Sequence, residues 1–170
     1  MSLSQNSASL IGVFDSGIGG LTVAKAIADL LPNEQLFYFG DTAHLPYGDK
    51  SATSIQAYSI KICNVLLEQN CKAIVIACNS ASSAAYDLVK EYVGSRAIIL
   101  SVIDPVVEYV ASQYNQEKIG LIGTKQTVAS HTYDSKLAKA NPSLELSSLA
   151  TPLLAPMIEE GFFNNSISPQ

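Results

Sequence analysis

Six short apolar runs, each followed by a stretch long enough for a helix or a long loop, leave this chain few architectures. The runs are Leu10–Phe14, Gln35–Phe39, Ala73–Ala77, Ala97–Val102, Lys118–Ile122 and Leu144–Leu149. Several are near-continuous in Val, Ile and Leu, the pattern of strands covered on both faces. Between them, Leu21–Leu31 reads as a helix stopped by Pro32. Ser51–Asn70 sets Ile55, Tyr58 or Ser59, Ile62 and Leu66 along one helical face, and Ser82–Val93 ends at Gly94 as a C-cap. Pro105–Tyr114 starts from Asp104 as N-cap with Pro105 at the first helical position. A helix over Thr124–Ala140 stops before Pro142. Such alternation predicts an α/β fold, a parallel sheet sandwiched by helices. Residues 1–9 read as a Ser-rich leader or tail, 10–103 as a first α/β lobe, and 104–170 as a partial second one.

Composition narrows the partners. Of 170 residues 48% are hydrophobic and only 15% charged, so the chain has apolar material for a core and no long charge run. The formal net charge of -5, with basic residues scattered singly, argues against nucleic acid or an anionic membrane as partner and leaves small molecules. No apolar stretch approaches the roughly 18 residues that span a bilayer. Cys63, Cys71 and Cys78 form no C-x-x-C pair, so a disulfide framework or a zinc site is not expected and a cytoplasmic location is.

In a parallel α/β sheet, ligands sit beyond the carboxyl ends of the strands. After the first strand comes Asp15-Ser16-Gly17-Ile18-Gly19-Gly20, whose glycines let backbone approach a ligand at a helix N-terminus. It is neither G-x-G-x-x-G nor a Walker A loop. After the second comes Gly40-Asp41-Thr42-Ala43-His44-Leu45-Pro46-Tyr47-Gly48, long enough to fold over a pocket. A lone histidine such as His44 is weak evidence of chemistry. After the third strand comes Ala77-Cys78-Asn79-Ser80, with Cys78 where a helix dipole should lower a thiol towards a neutral pKa. Asn79 and Ser80 offer side chains to an amino or carboxylate group. Cys63, inside a helix, and Cys71, just before a strand, read as inert buried thiols.

Taken together and in order, these three segments resemble the glutamate racemases of the aspartate/glutamate racemase family. Gly123-Thr124-Lys125-Gln126-Thr127 and the stretch from Ala150 to Gly161 look familial as well. The resemblance implies an aspartate/glutamate racemase-like fold with its second lobe incomplete. It implies cofactor-independent interconversion of L- and D-glutamate, with no metal, in support of peptidoglycan synthesis. It assigns Cys78 and Asp15 to catalysis, the aspartate assisting the cysteine that acts on the D enantiomer. Substrate contact falls to Asp15, Ser16, Pro46, Tyr47, Gly48, Asn79 and Ser80, where Ser80 stands in place of the family's usual threonine. The family's second cysteine lies in a downstream Gly-Cys-Thr-His segment. Cys78 is the last cysteine of this chain, and His131 stands in a different context. One thiolate reaches one face of a substrate, so the resemblance implies an incomplete racemase, with apolar surface exposed where later segments would return and homo-oligomerisation as a remedy. Two other functions stay open: a non-catalytic carboxylate- or amino-acid-binding remnant, and a racemase of aspartate or another dicarboxylate.

Overall fold

The computed structural model describes residues 9–162. The proposed leader, apart from Ser9, and positions 163–170 of the second lobe lie outside the described residues. Strands β1 (Leu10–Asp15), β2 (Leu36–Gly40), β3 (Cys71–Ile76) and β4 (Ile98–Ser101) form a parallel sheet in the order β2-β1-β3-β4. Strands β5 (Lys118–Gly123) and β6 (Glu145–Ala150) pair in parallel as a second sheet. The apolar runs coincide with all six strands, and the central pair, β1 and β3, is the most deeply buried.

Helices α2 (Ala52–Glu68) and α3 (Asn79–Val93) cover one face of the larger sheet. Ile55, Ile62, Leu66, Val89 and Val93 bury against Phe14, Ile74, Ile76 and Ile99. Removing one such side chain from water stabilises the fold by about 1.5–3 kcal/mol. On the opposite face α1 (Leu21–Leu30) packs Val23, Ala24 and Ile27 on Ile11, Val13 and Val75. A third cluster joins Ile103 and Val107 of α4 (Ile103–Gln113) to Leu137 of α6 (Thr132–Ala140) and to Leu144. Short helices α5 (Lys125–Ala129) and α7 (Leu154–Glu159) follow the two strands of the smaller sheet. Among the described residues no helix is long and apolar enough to cross a membrane.

Four expectations change. The single helix over Thr124–Ala140 is two, because His131 takes the left-handed conformation at φ 52°. Ser130 drives the break: its hydroxyl donates to the Thr127 carbonyl at 2.7 Å and accepts from the Thr132 amide at 3.2 Å, competing with helical bonds. Asp104 does not cap α4. The helix begins one residue before it, Ser101 Oγ accepts the Ile103 amide at 3.0 Å, and Asp104 pairs with Lys136 at 2.5 Å. Helix α3 begins at Asn79 instead of Ser82, since Cys78 itself serves as its N-cap. Finally, β5 and β6 alternate between exposed and half-buried positions, so they are not covered on both faces. Ile122 and Leu149 are exposed there, and so are Ile98 and Leu100 on β4.

Candidate active site

Strand register decides what meets at the carboxyl edge of the larger sheet. Asp15 pairs with Gly40 across β1 and β2, and Phe14 with Ile76 across β1 and β3. The turn after β1, the loop after β2 and the junction of β3 with α3 therefore emerge side by side. They enclose a cavity of about 330 Å³ lined by Asp15, Ser16, Pro46, Tyr47, Gly48, Cys78, Asn79 and Ser80. All eight residues singled out from the sequence line this one cavity. Leu45, Thr124 and Glu159 line it as well.

Each group is held by local chemistry. Asp15, only 6% exposed, accepts the amides of Gly17 at 3.2 Å and Gly20 at 3.0 Å through Oδ2. Its Oδ1 takes no hydrogen bond among the described residues. The tight turn needs glycine at position 20, where a Cβ would stand 2.6 Å from Asp15 Cβ and 2.9 Å from Ala77 Cβ. Tyr38 supports the turn from β2, its hydroxyl donating to the Gly17 carbonyl at 3.2 Å. Burial, and then the charges of Asp15 and Cys78, push Tyr38 up to about 12, so it stays a donor.

Cys78 Sγ lies 3.5 Å from Ser16 Oγ and accepts the Ala81 amide at 3.4 Å. Those contacts favour thiolate, yet the net direction is the reverse of the sequence expectation. Burial raises the thiol pKa, the Asp15 charge raises it further, and the bonds from Ser16 and Ala81 only partly offset them. Burial and Asp15 together thus favour the neutral thiol form of Cys78. Cys63 and Cys71 are buried in the core, and burial pushes Cys63 up to about 12 and raises Cys71 too. Cys71 opens β3 instead of preceding it.

Asn79 and Ser80 face the second sheet's elements. Asn79 Oδ1 accepts the Tyr133 hydroxyl at 2.7 Å, and Ser80 Oγ lies 2.9 Å from Thr124 Oγ1. Thr124 also caps α5, accepting the Thr127 amide at 3.1 Å, and packs so closely on Gly48 that a Cβ there would come within 2.7 Å of its own. The sequence reading gave Thr124 no role, although it too stands at a strand's carboxyl end, the signal that marked Asp15 and Cys78. Glu159 comes from a six-residue helix that no periodicity announces. Among the described residues no group of three or more His, Cys, Asp or Glu is placed to hold a metal ion.

The sequence profile of the Asp/Glu/Hydantoin racemase family matches residues 11–161. Glutamate racemase of Chlorobaculum parvum is 41% identical over 160 residues, covering 94% of this chain and 58% of the relative. That of Sulfurihydrogenibium sp. is 43% identical over 159 residues, covering 93% and 60%. Among solved structures, glutamate racemase from Francisella tularensis in complex with D-glutamate superposes with a TM-score of 0.87 at 41% identity, covering 94% of this chain and 59% of that one. The chain thus spans about three-fifths of the length of the relatives it matches.

Proposed function

The chain belongs to the Asp/Glu/hydantoin racemase family, and we propose that it carries the D-glutamate half of a cofactor-independent glutamate racemase site. The observation that carries this reading is the Cys78 sulfur in one cavity with the Asp15 turn and the Pro46–Gly48 wall. The D-glutamate bound to the Francisella tularensis enzyme supports the choice of ligand. In this reading Asp15 and Cys78 are catalytic. Ser16, Pro46, Tyr47, Gly48, Asn79 and Ser80 contact substrate, with no cofactor or metal taking part.

The chemistry follows from the charges. The resting thiol is protonated, because burial and Asp15 disfavour a second anion. An arriving substrate brings an ammonium group, whose positive charge favours thiolate. The thiol proton passes to Asp15, leaving a sulfur basic enough to take the α-proton. The Cα–H bond then breaks, its electron pair remains on the substrate as a carbanion spread into the α-carboxylate, and Cys78 becomes a thiol again. Ser16 and the donors around Asn79 and Ser80 stabilise the developing charge. Returning the proton from the other face needs a second acid, and Cys78 is the chain's last cysteine. The 170 residues therefore exchange the α-proton of D-glutamate rather than racemise it efficiently.

On this reading the protein works in the cytoplasm and supplies D-glutamate for peptidoglycan. It also gives exposed Ile98, Leu100, Ile122 and Leu149 a role in self-association. Proton NMR of each enantiomer in deuterated water tests the activity. Loss of the α-proton signal from D-glutamate, with L-glutamate unchanged, is expected. Exchange of neither enantiomer, or full racemisation, refutes the proposal as stated.

A further inference from the structure

Asp41, in the loop after β2, is a carboxylate with 7% of its surface in contact with solvent, and the sequence gives it no role of its own. Burying such a group costs several kcal/mol unless donors surround it. Here both oxygens are occupied from within the same loop. The Tyr47 hydroxyl donates to Oδ2 at 2.5 Å, and His44 Nδ1 lies 2.7 Å from Oδ1. The Asp41 amide donates to the Asp15 carbonyl at 2.9 Å, tying the loop to β1. On the far side the His44 ring stacks on Tyr58 of α2 with centroids 4.1 Å apart, and Tyr47 leans on the same ring at 5.8 Å.

The consequence lies between the two donors. Leu45 and Pro46 run from His44 to Tyr47, Gly48 follows, and this segment is one wall of the cavity over Cys78. The Tyr47 hydroxyl points at Asp41, and the ring is 1% exposed, so its phenol is committed to holding the wall. We propose that Asp41 is a positioning residue that sets the Pro46–Gly48 wall through Tyr47 and His44 and so governs how tightly the cavity holds its ligand. The identity of that ligand rests on the racemase reading; the positioning does not. A role in folding alone would lower stability and leave the affinity of each folded molecule unchanged.

Calorimetric titration of D-glutamate into the full chain separates these roles. The variants are Asp41→Ala, Asp41→Asn, Tyr47→Phe and the double variant Asp41→Ala/Tyr47→Phe. A charge-assisted bond lost at the wall should weaken binding by about ten- to a hundredfold in Asp41→Ala. Asp41→Asn keeps an acceptor for Tyr47 and should lose no more than about threefold. The double variant should bind no more weakly than the weaker single one, because both act along one path. Wild-type affinity in folded Asp41→Ala overturns the proposal, as do additive losses, or an Asp41→Asn loss equal to that of Asp41→Ala.

Amide exchange of His44 and Lys50, bonded to the carbonyls of Asp41 and Tyr47, is read on the same samples without ligand. Faster exchange at both in Asp41→Ala, with Asp41→Asn near wild type, is expected, and unchanged protection in Asp41→Ala overturns the positioning. If Asp41→Ala does not fold, Asp41→Asn and Tyr47→Phe carry the comparison. Tyr47→Phe should then free both amides, and protection in it equal to wild type overturns the inference. A wild-type chain that binds no glutamate refutes the racemase reading instead.

Discussion

Replacing Gly20 with alanine tests whether the first turn is as tight as its geometry requires. The residue has φ -66° and ψ -10°, which alanine adopts without strain, so the effect is steric alone. The new methyl would stand 2.6 Å from Asp15 Cβ and 2.9 Å from Ala77 Cβ. Both neighbours are fixed to backbone and neither can rotate away. Overpacking of this kind costs about 1–3 kcal/mol, and the lost freedom of glycine in the unfolded chain returns about 0.4–1 kcal/mol. Moving Asp15 also weakens the Gly20 amide bond to a buried carboxylate, a further loss of about 1 kcal/mol. The net is about 2 kcal/mol, or a Tm lower by about 4–8 °C for a chain of this size. Gly120→Ala is the control, since nothing lies within 4 Å of a Cβ there. Thermal and urea unfolding of both variants should show Gly20→Ala destabilised and Gly120→Ala as stable as wild type or slightly more so. Equal stability of the two would refute the account of the turn, and with it the placement of Asp15.

Thr124→Val removes a cap of α5 and the bond to Ser80 while keeping the shape. It should cost about 1–2 kcal/mol in urea unfolding and weaken D-glutamate binding. Alkaline pH should destabilise the fold. Burial raises the buried thiols above the usual range for cysteine, Cys63 to about 12, so folding favours their neutral forms. That stability is complete below the unfolded thiol pKa of about 8.5 and is lost as pH climbs towards the folded values. A urea midpoint that stays level from pH 8 to 11 would contradict it. Ile122→Ser combined with Leu149→Ser should reduce self-association seen by light scattering, and an unchanged mass distribution would count against an apolar interface on that sheet.

The fold was legible because strands are rich in Val, Ile and Leu, whether covered on both faces as in β1 and β3 or half-exposed as in β5 and β6, and because Pro32, Gly94 and Pro142 stop helices by backbone chemistry. The cavity was legible for a related reason: parallel strands bring their carboxyl ends to one edge, so Asp15, Tyr47 and Cys78 meet although far apart in sequence. What escaped was decided by tertiary context. Ser130 breaks a helix whose periodicity runs on through it. Asp41 resembles any turn aspartate until Tyr47 and His44 close on it. Tyr133 reaches Asn79 from a helix with no mark of function. The direction of the Cys78 thiol pKa is also hidden from sequence, because a helix N-terminus is visible there while burial and the nearness of Asp15 are not.

The role of the Cys78 sulfur is tested most directly by Cys78→Ser, compared with wild type for α-proton exchange of D-glutamate in deuterated water at saturating substrate. The account predicts that the variant still binds D-glutamate while exchange falls by about a hundredfold or more, as expected when an acid/base group is removed. Exchange at the wild-type rate in Cys78→Ser would contradict it.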